Sequence, residues 1–153
     1  MRRIASRLGC LFSLFALAAC AAPAGLPGPV GADPRDRPFQ PRSDFPVPPA
    51  VDRLADAGGC TGEPLRAVSA ALPDYPARGW ARGLQGWSIV QFDVENDGAV
   101  SNVRTARGVP GGSFDSEARL AVSGWRFRPL STKERLSGCV VLFEFRLGEV
   151  RLR

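Results

Sequence analysis

The stretch that decides the fold is residues 87–98, which read WSIVQFDVENDG. Apolar and polar residues alternate here, and a period of two predicts a β-strand over residues 86–95 with one face toward the core. The core-facing positions are Val90, Phe92 and Val94, and the opposite face carries Gln91, Asp93 and Glu95. Asp97 and Gly98 then supply the residues of a tight turn, so the sequence predicts a β-hairpin.

Two further strands are predicted after that turn. The return strand covers residues 100–107, and because Val100 and Val103 fall on opposite faces, we expect either a β-bulge or pairing on both faces. The closing strand covers residues 139–147 and alternates again. Its predicted inward residues are Cys139, Val141, Phe143, Phe145 and Leu147, and its predicted outward residues are Glu144 and Arg146.

Helical signals lie on either side of the hairpin. Residues 76–82 begin with proline and are followed by Gly83, which predicts one or two helical turns. A second helix is predicted with Ser113 as its N-cap and Gly124 at its end. Its apolar stripe consists of Phe114, Ala118, Ala121, Val122 and Trp125. Residues 65–72 are either a short helix or an irregular lead-in.

The N-terminus has the pattern of an export signal over residues 1–19, with arginines followed by an apolar run. The run is shorter than the ~20 residues that a membrane-spanning helix needs, so we expect it to be cleaved. Residues 17–20 read LAAC, which matches a bacterial lipobox and predicts lipidation of Cys20. An ordinary secretory cut near Ala19 is the alternative. In the lipoprotein sorting pattern, an aspartate directly after the cysteine favours retention in the inner membrane. This chain has Ala21 at that position, so we expect the lipoprotein to be delivered to the outer membrane.

Residues 20–58 are rich in proline, glycine and alanine, and we expect them to form a disordered, flexible tether between the lipidated cysteine and a domain at residues 59–153. A proline-rich docking site is the weaker interpretation, because the prolines are irregularly spaced.

Composition argues against several function classes. The formal charge is +5, but without Arg2, Arg3 and Arg7 the chain has 17 basic and 15 acidic residues. This balance does not give the excess of positive charge expected of a nucleic-acid-binding protein. The chain has no histidine, and it shows neither a glycine-rich phosphate loop nor a nucleophile elbow. We therefore predict no enzyme, no cofactor and no metal.

Cys60 and Cys139 are the two cysteines of the predicted domain. Exported proteins meet an oxidising compartment, so we expect these thiols to form a disulfide that fastens the two ends of the domain together. Two unrelated buried thiols are the alternative, and a zinc site is disfavoured because no two cysteines lie close together in the sequence.

These motifs together resemble the C-terminal domain of TonB-type energy transducers. The matching segments are Tyr75-Pro76, the hairpin with Asp97-Gly98-Ala99-Val100, the run Trp125-Arg126-Phe127-Arg128-Pro129, and Phe143-Glu144-Phe145. The resemblance implies an α+β fold with a small three-stranded antiparallel sheet packed against two helices. It also implies a periplasmic domain that contacts outer-membrane receptors by strand pairing in TonB-dependent transport.

A three-stranded sheet leaves an edge that can recruit an extended peptide. If the closing strand lies outside, the predicted partner-binding residues, which we call the docking strip, are Val140, Val141, Leu142, Phe143, Glu144, Phe145 and Arg146. The alternative is that this edge is covered by residues 149–153 or by a second copy of the chain in a homodimer.

The chain also departs from the pattern of that family. It has no histidine to contact a motor protein, and it lacks long Glu-Pro and Lys-Pro repeats. We therefore expect a lipid-anchored periplasmic binding module. The alternatives are a structural or assembly subunit of the outer membrane, and an inner-membrane transducer whose N-terminal segment is not cleaved.

Overall fold

The computed structural model describes residues 31–50, 60–132 and 134–153. The predicted signal peptide, the lipidation of Cys20 and the tether residues 20–30 and 51–58 lie outside the described residues. Residues 32–153 group into one compact unit.

Six strands and two α-helices make up the described part of the chain, which confirms the predicted α+β class. A 3₁₀ helix precedes them at Pro34–Asp36. The strands are β1 (Ala67–Ser69), β2 (Gly86–Val94), β3 (Val100–Val109), β4 (Arg126–Phe127), β5 (Leu136–Arg146) and β6 (Glu149–Leu152). The helices are α1 (Ala77–Ala81) and α2 (Asp115–Ser123).

The main sheet is antiparallel, with the strand order β3-β2-β5-β6, and β1 pairs with β4 in a separate two-stranded sheet. The three predicted strands are present as β3, β2 and β5. The predicted number of strands in the main sheet was one too low, because the residues after Gly148 turn back and pair with β5 as β6.

The main core lies between the sheet and helix α2. The predicted inward residues of β2, Val90, Phe92 and Val94, are buried there, as are Phe143 and Phe145 of β5. Helix α2 contributes Ala118 and Val122, flanked by Phe114 and Trp125. The apolar stripe read from the sequence is therefore the buried face of this helix.

The other face of the sheet is also covered, which the alternation had not indicated. Trp87, Ile89 and Leu142 are buried in a second cluster, with Phe45 packed against them. For this reason Glu144, predicted to point outward, is 5% exposed. Leu147, predicted to point inward, is 59% exposed because it lies in the turn between β5 and β6.

Residues 37–45, which we call the strap, lie against the domain, although the sequence had placed them in a flexible tether. Phe39 packs on Tyr75 and Trp80, with ring centroids 5.2 Å away in each case. The Trp80 indole N–H donates to the Arg37 carbonyl oxygen at 2.9 Å. Aromatic side chains recruit this segment in spite of its prolines, so residues 37–45 belong to the fold rather than to a tether.

Helix α2 begins differently from the prediction. Its N-cap is Phe114, not Ser113, and no side chain caps it. Instead, the Asp115 carboxylate accepts hydrogen bonds from the Gly112 N–H at 3.0 Å and from the Ser88 hydroxyl at 2.7 Å. The first turn of the helix is thus tied to β2, and Gly124 ends the helix as predicted.

Irregular pairing between β2 and β3 confirms the expected bulge. The register shifts between Ile89 and Val90 and again between Gln91 and Asp93. In β3, Asn102 has a φ of +50° and donates through its side-chain amide to an Asp93 carboxylate oxygen at 2.7 Å. The other Asp93 oxygen accepts from the Gly138 N–H at 2.8 Å. Asp93, predicted to lie on the face opposite the core, therefore joins three strands.

Burial by itself would raise the pKa of Asp93, but the hydrogen bonds from Asn102 and Gly138 and the charges of Arg135 and Arg104 together outweigh it, and the pKa is lowered from its ordinary value of 3.8. A lowered pKa in the folded state stabilises the fold above the ordinary pKa. That contribution is lost as the pH falls through the lower, folded-state value.

We expect Asp93→Asn to lower the free energy of unfolding by about 1.5–3 kcal/mol at pH 7, because the amide cannot accept both bonds. The difference from the wild type should shrink as the pH falls from the ordinary value of 3.8 through the lower, folded-state pKa, because the wild-type carboxylate is protonated over this range. Urea unfolding between pH 7 and pH 2 measures it. Asp36→Asn, at an exposed carboxylate, is the matched control, and a difference that is independent of pH would contradict this assignment.

Candidate partner-binding edge

Strand β5 lies inside the sheet, between β2 and β6. Its last residues pair with β6 in the register Phe143↔Leu152, Glu144↔Arg151, Phe145↔Val150 and Arg146↔Glu149. Leu142 and Arg153 continue the ladder, since their backbone groups exchange hydrogen bonds of 2.9 and 3.1 Å. The prediction that the whole docking strip is a free edge was therefore wrong for residues 142–146. The alternative, coverage by residues 149–153, is what the structure shows.

The turn between β5 and β6 explains this coverage. Leu147 has a φ of +53° and Gly148 a φ of +81°, and two consecutive positive φ angles are typical of a tight hairpin turn. Only glycine adopts this conformation without cost, so the turn is marked in the sequence by Gly148 alone. The first turn position is a leucine, a residue that is not typical of tight turns, so the sequence does not clearly predict the turn.

Alternation along β5 sets the direction of its backbone groups. Leu142 directs its N–H and C=O to the β6 side, and successive residues of an antiparallel strand alternate. Val140 and Glu144 therefore direct theirs to the same side, while Phe143 and Phe145 direct theirs to β2. In the described part of the chain no strand pairs with Val140 on the β6 side. The docking strip is thus open at residue 140 and covered from residue 142 onward.

β6 is a weakly anchored edge strand. Its residues Glu149 and Arg151 form an ion pair of 3.0 Å, but their side chains are 67% and 71% exposed. Exposed pairs of this kind contribute little to stability. Just after β6, the Arg153 guanidinium lies 3.2 Å from the carboxylate of the buried Glu144.

β3 forms the opposite edge of the main sheet, and it is poorly suited to accept another strand. Its ladder with β2 is interrupted twice, and Asn102 bends the backbone. Arg104 and Arg107 are exposed along it. Bulges and charges are the features by which edge strands are protected from pairing. The β5–β6 side is therefore the better docking edge.

A disulfide joins Cys60 to Cys139, with the two Cα atoms 4.4 Å apart. The Cys60 N–H also donates to the Ser137 carbonyl oxygen at 2.7 Å. The bond therefore holds the start of the folded domain beside β5, directly before the open part of the docking strip.

Within the described ranges, no three His, Cys, Asp or Glu side chains come close enough to share a metal ion. In the same part of the chain, no helix has the length and the apolar character needed to cross a membrane.

The family model of the Gram-negative bacterial TonB protein C-terminal matches residues 71–147, about half of the chain. The chain belongs to this TonB C-terminal family. The match begins before α1 and ends at the turn after β5. The strap, Cys60 and β6 lie outside the matched range.

Individual TonB proteins agree with that assignment. The chain is 32% identical over 124 residues to protein TonB of Yersinia enterocolitica, covering 76% of this chain and 46% of that protein. It is 41% identical over 64 residues to protein TonB of Escherichia coli K12, covering 42% and 27%. The chain thus spans less than half the length of these relatives.

A solved structure shows the same fold. The solution NMR structure of the Pseudomonas aeruginosa TonB C-terminal domain superposes with a TM-score of 0.50 at 27% identity. The superposition covers 61% of this chain and 97% of that domain. The TonB C-terminal fold recognised in the sequence is therefore confirmed in three dimensions.

Two groups of residues at this edge were not part of the main prediction: one was left as an alternative and the other was missed. The first is β6, whose Glu149, Val150, Arg151 and Leu152 do alternate polar with apolar, although over only four residues. The second is the strap, where Phe39 and Phe45 stood out as aromatic residues in a proline-rich segment. Neither signal is strong enough alone to predict contact with β5.

We expect the double substitution Cys60→Ser, Cys139→Ala to lower the free energy of unfolding by about 4 kcal/mol, since the bond closes a loop of 79 residues. Urea unfolding with and without a thiol reductant measures the effect. Reductant should destabilise the wild type by a similar amount and leave the variant unchanged. A wild type whose unfolding does not respond to full reduction would contradict a stabilising role for the bond.

Proposed function

We propose that this TonB C-terminal domain is a protein-binding module rather than an enzyme, and that it recruits an extended segment of a partner by strand pairing along the docking strip. The observation that carries the proposal is the mismatch between β5 and its cover. β5 has eleven residues, and β6 pairs with only the last few of them. A longer incoming strand can form all of the bonds that β6 forms and add one at Val140.

Replacement of β6 is energetically inexpensive for two reasons. First, the partner's backbone restores the same ladder of hydrogen bonds, so few polar groups are left unpaired. Second, the exposed side chains of β6 bury little apolar surface, and Leu152 is itself 49% exposed. Val150 is the member of β6 that packs on the core.

Glu144 adds a requirement for the partner. Its side chain is 7% exposed, and Arg153 lies beside it. When β6 leaves, this carboxylate loses its cation, and an unpaired charge in a covered site is costly. The incoming segment should therefore carry a basic side chain or a hydrogen-bond donor that reaches Glu144.

We further propose that the partner is a TonB-dependent outer-membrane receptor and that the domain acts in transport across that membrane. Membership in the TonB family and the similarity to named TonB proteins support this assignment. The bulged β3 edge leaves β5 as the better place for a receptor segment to pair.

We expect Val140→Pro to reduce capture of a β-barrel receptor from a detergent-solubilised outer-membrane extract by about tenfold. Proline removes the N–H that Val140 directs outward, and it leaves the bonds from Phe143 and Phe145 to β2 intact. The immobilised full chain is incubated with the extract, and the retained receptor is quantified.

Val140→Ala is the matched control, since it shortens the side chain and keeps the N–H; its capture should stay within about twofold of the wild type. A chain ending at Gly148 should capture more receptor, because the strip is then open. Equal capture by the proline and alanine variants would locate the docking site elsewhere. Weaker capture by the shortened chain would mean that the partner pairs with β6 itself, and no receptor in any arm would refute the transport assignment.

We also propose that the mature chain is anchored on the periplasmic side of the outer membrane by lipid on Cys20. The lipobox at residues 17–20 and the alanine after the cysteine support this arrangement.

We expect the intact mass of the chain isolated from membranes to correspond to a form that begins at a diacylated Cys20. Cys20→Ser should release the chain into the periplasm, and Cys10→Ser, within the signal sequence, is the control that should leave the mass unchanged. A mass that includes residues 1–19 would instead support an inner-membrane transducer with an uncleaved anchor.

A further inference from the structure

We propose that the strap, residues 37–45, holds the turn between β5 and β6 in place and thereby controls how readily β6 leaves the docking strip. The coupling between the strap and the turn does not depend on the proposed function, whereas its consequence for partner binding does. Three sets of contacts carry the inference, one at each end of the strap and one in its middle.

At the first end, Phe39 abuts the turn. A Cβ atom placed on Gly148 would lie 2.9 Å from the Phe39 Cβ and 3.1 Å from the Trp80 ring. Only a glycine can approach so closely, which means that the turn and the strap are in direct contact. The Phe39 ring in turn packs on both Tyr75 and Trp80, which also contact each other, so its position is fixed by these aromatic residues.

At the second end, Phe45 meets the last residue of β5. The Arg146 guanidinium lies 5.1 Å from the centre of the Phe45 ring, within the range of a cation–π interaction. Arg146 is the residue paired with Glu149, the first residue of β6. The two aromatic residues of the strap therefore contact both sides of the hairpin turn.

In the middle, Gln85 links the strap to the turn. It is 6% exposed, and its side-chain amide donates to the Ser43 carbonyl oxygen at 2.6 Å. Its side-chain oxygen accepts from the Leu147 N–H at 3.0 Å. The backbone N–H of Gln85 also donates to the Ser43 hydroxyl at 2.9 Å. Because one neighbour can only accept and the other can only donate, the orientation of the amide is fixed.

These Gln85 hydrogen bonds act on the residue of the hairpin that has an unfavourable backbone conformation. Leu147 is a non-glycine residue at a φ of +53°, and such a conformation persists only where the surroundings hold it. The bond from its N–H to Gln85 is one such restraint. With the strap displaced, the restraint weakens, and a strand of four residues cannot hold the turn alone.

The position of the strap in the chain gives this coupling a regulatory meaning. The strap follows the 3₁₀ helix Pro34–Asp36 and precedes β1, so a displacement of the chain at this point reaches the β5–β6 turn through the strap. Phe39 and Phe45 then transmit it to the turn. The strap and β6 both lie outside the range that the family model matches.

Amide hydrogen exchange of the full chain, followed by NMR without any partner, tests the coupling. In Phe39→Ala we expect the amides of Leu142, Glu144, Arg151 and Arg153, which take part in the β5–β6 ladder, to exchange about tenfold faster or more. The amides of Phe143 and Phe145, which face β2, should stay within about twofold. Phe45→Ala gives a second reading at the other end of the strap and should act in the same direction.

Val47→Ala is the matched control, because Val47 lies just beyond the strap and is 89% exposed. Its exchange rates should equal those of the wild type. Unchanged rates at Leu142 and Arg153 in both phenylalanine variants would overturn the proposal. Equal acceleration at Leu142 and Phe143 would also overturn it, since the strap would then stabilise the whole sheet without selecting β6.

These outcomes are separate from those of receptor capture. A strap that fails to alter exchange leaves strand pairing by the docking strip intact, and a domain that captures no receptor leaves the exchange result intact.

Discussion

The pairing of β5 with β2 is the constraint on which the rest of the structure depends. It runs from Gly86↔Phe145 to Val94↔Leu136 and places the apolar residues of both strands side by side. Helix α2 covers one face of this pair, and Phe45 and its neighbours cover the other. Strands buried on both faces cannot slip in register without moving apolar side chains into water. The register of β5 in turn decides which of its backbone groups point away from β2 and can be used by another strand.

A small domain needs restraints beyond its core, because little apolar surface is available to offset chain entropy. Here the restraints converge on the ends of β5. The Cys60–Cys139 bond and the hydrogen bond from Gly138 to Asp93 act near its start, and the Gln85 hydrogen bonds and the strap act near its end. Val140, which lies between these restraints, takes part in none of them. The strand is therefore held firmly at both ends, and the outward backbone groups of Val140 stay accessible between them.

Local signals predicted most of the elements because each is encoded by neighbouring residues. The alternation of β2, the Asp97-Gly98 turn and the stripe of α2 all follow from periodicity and turn chemistry, and even the bulge in β3 was indicated by its two valines. What could not be predicted depends on contacts between distant residues. Phe39 meets Trp80 across 41 positions, and Glu144 is buried because another segment covers a face that would otherwise be wet. A proline-rich composition predicts a tether correctly only when no aromatic residue in it finds a partner.

The same reasoning explains why the residues of the docking strip were correctly predicted to form a strand, while the prediction that this strand forms a free edge was wrong for residues 142–146. Its residues follow from the alternation of β5, but whether a strand is an edge depends on what else pairs with it. Edge strands left open invite aggregation, so a domain that binds by strand pairing has to cover its edge and still be able to expose it. Strand β6 meets both needs. It is short and its side chains are exposed, and the turn that joins it to β5 contains the strained Leu147. The pairing of β6 with β5 is weak by itself and is supported by contacts of the strap with the turn. A change in the strap can therefore alter how readily the edge of β5 is exposed.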